Sequence, residues 1–327
     1  MKRINIYSDD TIEENKNFII STFLWGEPAA CRDYEKSIKA IVEYNINRKI
    51  LNKNFRGFHA KTLNHSNWTR LSRPYCEVLS KLYSYLKHKY LFLLIYLESK
   101  KKYESNSQII ENSLKEHLRN RKSHLGVLYQ YIDDRDLKVI YKSAFKMYHY
   151  FLHRGKFGGP NTEFKYFPDA SGKVLDYKNK KFFIEAPGKG QVYMDFIKII
   201  SLLVDTLAIT INKPKFLNQL DWKQRPHNQR LDRFEPTKDE DSFLIQTTDI
   251  ISNFFLNLIR YEVGYKSKTV ELKAKELLKL NMFDNILDKI KMNFKLLNDK
   301  CVCNNDELKV SINIESEDKG PKKIIFR

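Results

Sequence analysis

The chain has 327 residues; 58 are Lys or Arg and 40 are Asp or Glu, giving a formal net charge of +18. Hydrophobic residues make up 42% and charged residues 30%, which excludes global disorder, and eleven glycines exclude a collagen-like or glycine-linker architecture. A chain this long buries about three quarters of its unfolded surface, enough for one large domain or two modest ones. The opening Met1-Lys2-Arg3-Ile4-Asn5 runs too soon into Ser8-Asp9-Asp10 for a secretory signal. The most apolar stretch, 192–211, carries Asp195, Lys198 and Asp205, which are costly at a bilayer centre. No membrane association and a cytoplasmic location are therefore expected. Cys31, Cys76, Cys301 and Cys303 form no C-x-x-C pair, and plain reduced thiols are expected.

In chain order, 4–7 and 18–24 read as two strands of a hairpin joined by a polar turn over 8–17. Helical spacing follows over 33–47 through Tyr34, Ile38, Ile41 and Val42. Residues 56–63 read as a strand end or loop, and 71–90 as a helix with Val78, Leu79, Leu82, Tyr83 and Leu86 on one side. The apolar run 90–97 suits a buried strand. Two or more helices are expected over 107–154, stopped by Gly155, Gly158, Gly159 and Pro160. Extended runs follow near 163–167, 173–177 and 181–185, then a buried helix over 193–211 and an irregular polar stretch over 213–241. Residues 242–261 begin extended and become helical around Asp249; 270–297 read as an amphipathic, Lys-rich helix. Val310, Ile312 and Ile314 mark a last strand before a basic tail. The order implies an α/β or α+β arrangement around one mixed sheet.

The charge is unevenly placed. No acidic residue lies between Glu43 and Glu77, a stretch that holds Arg48, Lys49, Lys53, Arg56, Lys61, Arg70 and Arg73 with His59 and His65. Tyr44, Phe55, Phe58, Trp68 and Tyr75 are interleaved. Cations that meet phosphates and rings that stack on bases equip nucleic-acid surfaces. A second acid-free stretch, 137–162, carries Lys138, Lys142, Lys146, Arg154 and Lys156. Codon bias in an AT-rich genome gives the same richness in Lys, Asn, Ile, Tyr and Phe, so composition alone stops there.

Phosphate loops, a full dinucleotide fingerprint, H-E-x-x-H and G-x-S-x-G are absent. His149 and His153 stand four apart, but Tyr148, Tyr150 and Phe151 around them point to a packed helix face. What remains is carboxylates at element ends: Asp9 and Asp10 after the first strand, Asp169 after a later one, Glu185 at the close of another, and Asp249 where Gln246-Thr247-Thr248-Asp249 opens an apolar helix. Carboxylates from separate elements that meet above a sheet suit Mg²⁺ and a phosphate. Singly, each is equally a turn or cap residue.

The order of three of these motifs resembles the domain-of-unknown-function family 3800, whose members look like diverged ribonuclease H-like proteins. That family opens with a strand, Asp-Glu-Ser-Gly and a second apolar strand; here Ile6-Tyr7-Ser8-Asp9-Asp10-Thr11 precedes 18–25. It closes with a Gln-Leu-Ala-Asp-type helix start; here Leu244-Ile245-Gln246-Thr247-Thr248-Asp249-Ile250-Ile251 stands there. Between them lies a Glu-x-His or Glu-x-Lys element; here Gly57-Phe58-His59-Ala60-Lys61. The resemblance covers about residues 4–262. It departs at Thr11-Ile12 for Ser-Gly, at Gly57 for Glu, and at Thr247-Thr248 for an apolar pair.

The resemblance implies a ribonuclease H-like mixed sheet flanked by helices over 1–262, with a helical insertion around 107–154 and a helical C-terminal extension with basic tail over 263–327. It implies a nuclease dependent on Mg²⁺ or Mn²⁺, acting on DNA or RNA. Asp9, Asp249 and Asp169 (or Glu185) would hold the metal, Asp10 would assist, and His59 or Lys61 would meet the scissile phosphate or help proton transfer. Arg48, Lys49, Lys53, Arg56, Arg70 and Arg73 would hold the nucleic acid. The departures keep open an inactive nucleic-acid-binding protein of the same fold. A third expectation is an interaction subunit with a protein partner in a multigene prokaryotic system such as anti-phage defence.

Overall fold

The computed structural model describes residues 1–12, 17–105, 162–169, 180–186, 190–195, 230–304, 309–314 and 325–326, with a few isolated positions between 108 and 177. The elements in chain order are β1 (Lys2–Ile12), β2 (Phe18–Gly26), α1 (Pro28–Asn47), α2 (Trp68–Lys87), β3 (Leu91–Ser99), β4 (Thr162–Pro168), β5 (Lys181–Ala186), β6 (Gly190–Asp195) and β7 (Arg230–Phe234). They continue with α3 (Phe243–Glu262), α4 (Lys268–Leu278), α5 (Leu287–Asn293), β8 (Phe294–Leu297), β9 (Lys300–Cys303), β10 (Lys309–Ile314) and β11 (Ile325–Phe326). The protein is α/β, with sheets flanked by helices. Its contacts divide it into two units, one of residues 1–4 with 104–237 and the other of 5–103 with 238–327.

In the first unit the start of β1 lies beside β4, with Arg3 Nε 2.9 Å from Glu163 Oε2, and β4 pairs in parallel with β7. β5 and β6 form a separate antiparallel pair. In the second unit the strand order is β11-β10-β3-β2-β1, and every pairing is antiparallel. All nine residues of β2 are buried, as a continuous apolar strand covered on both faces requires. α3 is the core helix: every residue from Leu244 to Arg260 except Asp249 is buried. A helix apolar on all sides belongs inside a protein, and α3 packs against β2, α1, α2, α4 and α5. The C-terminal residues belong to the same unit, since β10 pairs with β3 from Lys309↔Glu98 to Ile314↔Leu93.

Several boundaries differ from the sequence expectation, each for a local reason. β1 continues through Thr11 and Ile12, which pair with Ile20 and Ile19, so the expected turn from residue 8 begins later. α1 starts at Pro28, whose missing N–H costs nothing at a first helical position. α3 starts at Phe243 rather than near Asp249, because Ser242 is its N-cap and its Oγ accepts from Ile245 N–H at 3.5 Å. The single helix expected over 270–297 is α4, a short 3₁₀ turn, α5 and the β8–β9 hairpin. Asn281 breaks it with φ 52°, and Asn298 and Asp299, at φ 49° and 58°, make the two-residue hairpin turn. β7 lies in the stretch expected to be irregular, and Tyr193 to Asp195 end β6 where a helix was expected to begin. Leu175 and Tyr177 are helical where an extended run was expected. The helices expected over 107–154 and 196–211 lie outside the described residues, apart from isolated positions. Among the described residues no helix is long and apolar enough to cross a membrane.

Removing residues 305–327 strips β10 from β3 and bares a buried apolar strand edge. The truncated chain is expected to aggregate on expression; a soluble monomer by size-exclusion chromatography would show that β10 is dispensable. Phe254, fully buried in α3, is expected to cost about 3–5 kcal/mol on Phe254→Ala, read as a lowered urea midpoint.

Candidate functional site

The site is built on a strap, residues 57–62, laid along α3 in the second unit. Among the described residues the strap pairs with no strand, and most of its bonded backbone groups are met by side chains. Gln246, Asp249 and Asn253 stand at i, i+3 and i+7 on one helix face. Gln246 Oε1 accepts from Phe58 N–H at 2.9 Å, and Asp249 Oδ2 accepts from Ala60 N–H at 2.9 Å. Lys273 of α4 donates to Ala60 O at 2.7 Å and to Asn253 Oδ1 at 2.8 Å. His59 O accepts from Tyr75 OH at 3.0 Å and from Thr62 Oγ1 at 2.7 Å.

Residues alternate along the strap. Phe58 and Ala60 are buried, with the Phe58 ring edge-on to Phe55 and Tyr75 at 5.0 Å each. His59 and Lys61 face outward, and His59 Nδ1 lies 3.1 Å from Asp239 Oδ2. Asp239 is fixed in turn, because Gln246 Nε2 donates to its carbonyl at 2.8 Å. Gly57 opens the strap at φ +151°, and a Cβ there would stand 2.5 Å from Gln246 Nε2. A side chain at Gly57 would be strained at this φ and would push the Gln246 amide away from the Phe58 N–H.

Burial raises the Asp249 carboxyl above its ordinary range; the Ala60 N–H and the charges of His59 and Lys61 pull it back, and Asp239 pushes it further up. Burial lowers the Lys273 ammonium to about 8, against the pull of Asp249 and with the push of Arg260. Two carboxylates, an imidazole and two ammonium groups thus share one neighbourhood.

Asp9 reaches the same sheet face. It stands opposite Thr22, whose Oγ1 accepts from Ser252 Oγ at 2.6 Å, and Ser252 is one turn beyond Asp249 on α3. Cross-strand partners project from the same face. Asp10 therefore projects from the other face, where it is exposed and its charge acts on Tyr103 together with that of Glu98. Asp169 follows β4 in the first unit and bridges to Thr237. Glu185 sits in β5 of that unit opposite Gln191, and its side chain lies outside the described residues. Among the described residues no group of three or more His, Cys, Asp or Glu stands close enough to hold a metal ion.

The six basic residues expected to meet nucleic acid are exposed in the second unit: Arg48 and Lys49 after α1, Lys53 and Arg56 before the strap, Arg70 and Arg73 in the first turns of α2. Arg48 and Arg73 lie over the exposed Tyr44 ring, 4.8 and 5.6 Å from its centre, and Arg73 Nε is 2.9 Å from Glu77 Oε1. Of the interleaved rings, Phe58 and Tyr75 are core residues, so the aromatic pattern read as a stacking surface is partly the wall of the strap.

Sequence reading missed Asp239, Asn253 and Lys273. Asp239 begins an acidic run that looks like a solvated turn, and Lys273 is one lysine among many in its helix. Neither carried a signal that burial alone could supply.

Gly57→Ala is expected to cost about 1–3 kcal/mol from strain and the Gln246 clash, read by urea unfolding. Asp249→Ala, which leaves the buried Ala60 N–H unmet, is expected to cost about 1–3 kcal/mol. Because the folded carboxyl is raised from 3.8, its ionisation opposes folding, and stability is lost as pH rises through the folded value. Asp249→Asn keeps the acceptor and is expected to remove that slope; an unchanged pH profile of stability would refute the assignment.

No protein-family model, no curated protein and no solved structure matches the chain.

Proposed function

We propose that this protein is a divalent-metal-dependent nuclease with a ribonuclease H-like core, acting on phosphodiester bonds of DNA or RNA. The observation that carries this reading is the arrival of Asp9 from β1 and Asp249 from α3 at one sheet face, with His59 and Lys61 held beside Asp249 by the strap. The antiparallel β3-β2-β1 meander with α3 packed against β2 supports the fold assignment.

The donors fit Mg²⁺ or Mn²⁺ in part. Carboxylates of Asp9 and Asp249 are the hard oxygens these ions take, and Mg²⁺ is commonly held by one or two carboxylates with the rest from waters and substrate phosphates. Such an ion, when bound, polarises a phosphoryl oxygen and lowers the pKa of its water. The chain's own residues do the remaining work. Lys61 lies exposed, where it meets a phosphate oxygen. His59, oriented through Nδ1 by Asp239, has Nε2 to exchange a proton with substrate or water. Arg48, Lys49, Lys53, Arg56, Arg70 and Arg73 hold the strand by its backbone.

A second reading has its own support. One Asp249 oxygen is already bonded to Ala60, and among the described residues no three His, Cys, Asp or Glu side chains stand close enough together to hold a metal ion. A protein that binds nucleic acid without cutting it, alone or as a subunit of a multigene defence system, would have such a site.

Mn²⁺ titrated by calorimetry with and without an oligonucleotide, beside Asp9→Ala and Asp249→Ala, tests the metal. Expected is binding that needs both carboxylates, and Mn²⁺-dependent cleavage that falls at least a hundredfold in either variant. Cleavage unchanged in both variants overturns the site; salt-sensitive binding with no cleavage under Mg²⁺ or Mn²⁺ favours the second reading. Replacing Arg48 and Arg70 by Ala is expected to lower the slope of log affinity against log salt by about 0.7–0.9 for each phosphate that is no longer neutralised.

A further inference from the structure

Lys273 lies beyond the stretch that carries the family resemblance, yet it is bound into the strap. Its side chain is only 3% exposed. Its ammonium reaches Ala60 O and Asn253 Oδ1 at 2.7 and 2.8 Å, and Asn253 is itself braced by Asn257 Nδ2, 2.7 Å from its carbonyl and 3.2 Å from its Oδ1. One turn earlier on the same face of α4, Thr269 Oγ1 accepts from His65 N–H at 3.0 Å. α4 thus grips the segment from Ala60 to His65 at two points, while Asp249 grips the Ala60 N–H from α3. Ala60 is held at both its N–H and its C=O, and its neighbours are the outward-facing His59 and Lys61.

Stability alone does not require an ammonium at this place. A buried charge is costly to desolvate, and an apolar side chain of similar length commonly serves a core as well or better. What Met or Leu cannot do is hold a carbonyl in a fixed place.

We propose that Lys273 is a positioning residue: its ammonium, through the Ala60 carbonyl and the Asn253 side chain, fixes the strap that presents His59 and Lys61 beside Asp249. Its catalytic consequence rests on the nuclease reading, whereas its effect on the strap does not.

The test uses the full chain with Lys273→Met, and two readouts. Hydrogen exchange followed by mass spectrometry is expected to show peptides over 57–62 exchanging roughly ten- to a hundredfold faster, the factor set by losing a charge-assisted hydrogen bond, with β2 and β3 unchanged. Cleavage is expected to show kcat lowered at least tenfold with KM within about twofold, the pattern of a misplaced group rather than a lost binding surface. Unchanged strap exchange overturns the proposal, as does faster exchange throughout the unit, which marks Lys273 as a structural residue only. If the Met variant fails to fold, Lys273→Gln, whose neutral donor ends one atom short of the ammonium, is expected to speed strap exchange by a smaller factor than Met, and unchanged strap exchange in it overturns the proposal. Absence of cleavage by the wild type defeats the nuclease reading and leaves the exchange result to decide the role of Lys273.

Discussion

A segment without a partner strand must still satisfy its peptide groups, and in the second unit that demand falls on the side chains of α3. Gln246 and Asp249 take the amides of Phe58 and Ala60, and the rest of the site follows from that pairing. It requires Gly57, because Gln246 occupies the space of a Cβ. It requires α3 to begin at Phe243, after the Ser242 cap, so that Gln246 and Asp249 are both helical and one turn apart. It also fixes the strap's alternation, with Phe58 and Ala60 inward and His59 and Lys61 outward. The charged side chains therefore stand beside Asp249 as a consequence of backbone bonding.

α3 can carry this load because it is anchored on its other sides by apolar packing. Ile245, Ile251, Phe254, Phe255 and Leu258 are buried, each contributing about 1.5–3 kcal/mol. Each neutral hydrogen bond contributes about 1 kcal/mol. Burial thus decides that the helix sits in the core, and the polar pairs decide its register. Ser252 to Thr22 and Tyr34 to Thr247 bind α3 to β2 and α1. The same helix that registers on the sheet holds the strap, so Asp9, opposite Thr22, is placed relative to Asp249 by one rigid element.

Apolar periodicity made the two-stranded opening, α1, α2, β3 and α3 legible, since burial on a face or a strand leaves a repeat in the sequence. The resemblance of three short motifs pointed to His59, Lys61 and Asp249, which the structure brings together. Interactions that depend on one bond at long separation left no repeat. Lys273 reads like its exposed neighbours, and its link to Ala60 spans 213 residues. The boundaries failed where a single backbone event decided them: the Ser242 cap, the positive φ of Asn281, and the turn at Asn298 and Asp299. The strand β7 follows a long polar stretch, and its short sequence Arg-Leu-Asp-Arg-Phe carries too little apolar alternation to stand out.

Thr11, Ile12, Gly57, Thr247 and Thr248 each have a local reason. Thr11 and Ile12 let β1 pair onward with β2, which a glycine would weaken. Thr247 and Thr248 bond back to the carbonyls of Phe243 and Ile245, so neither hydroxyl is buried unmet. Gly57 makes room for Gln246. The charge consequence is definite: Asp239 and Asp249 are set against His59, Lys61 and Lys273, so the neighbourhood holds little net negative charge to draw a divalent cation by itself. On the nuclease reading proposed above, a nucleic-acid phosphate would supply that charge beside the exposed ammonium of Lys61, and the polyanion would complete a donor set that the protein leaves short.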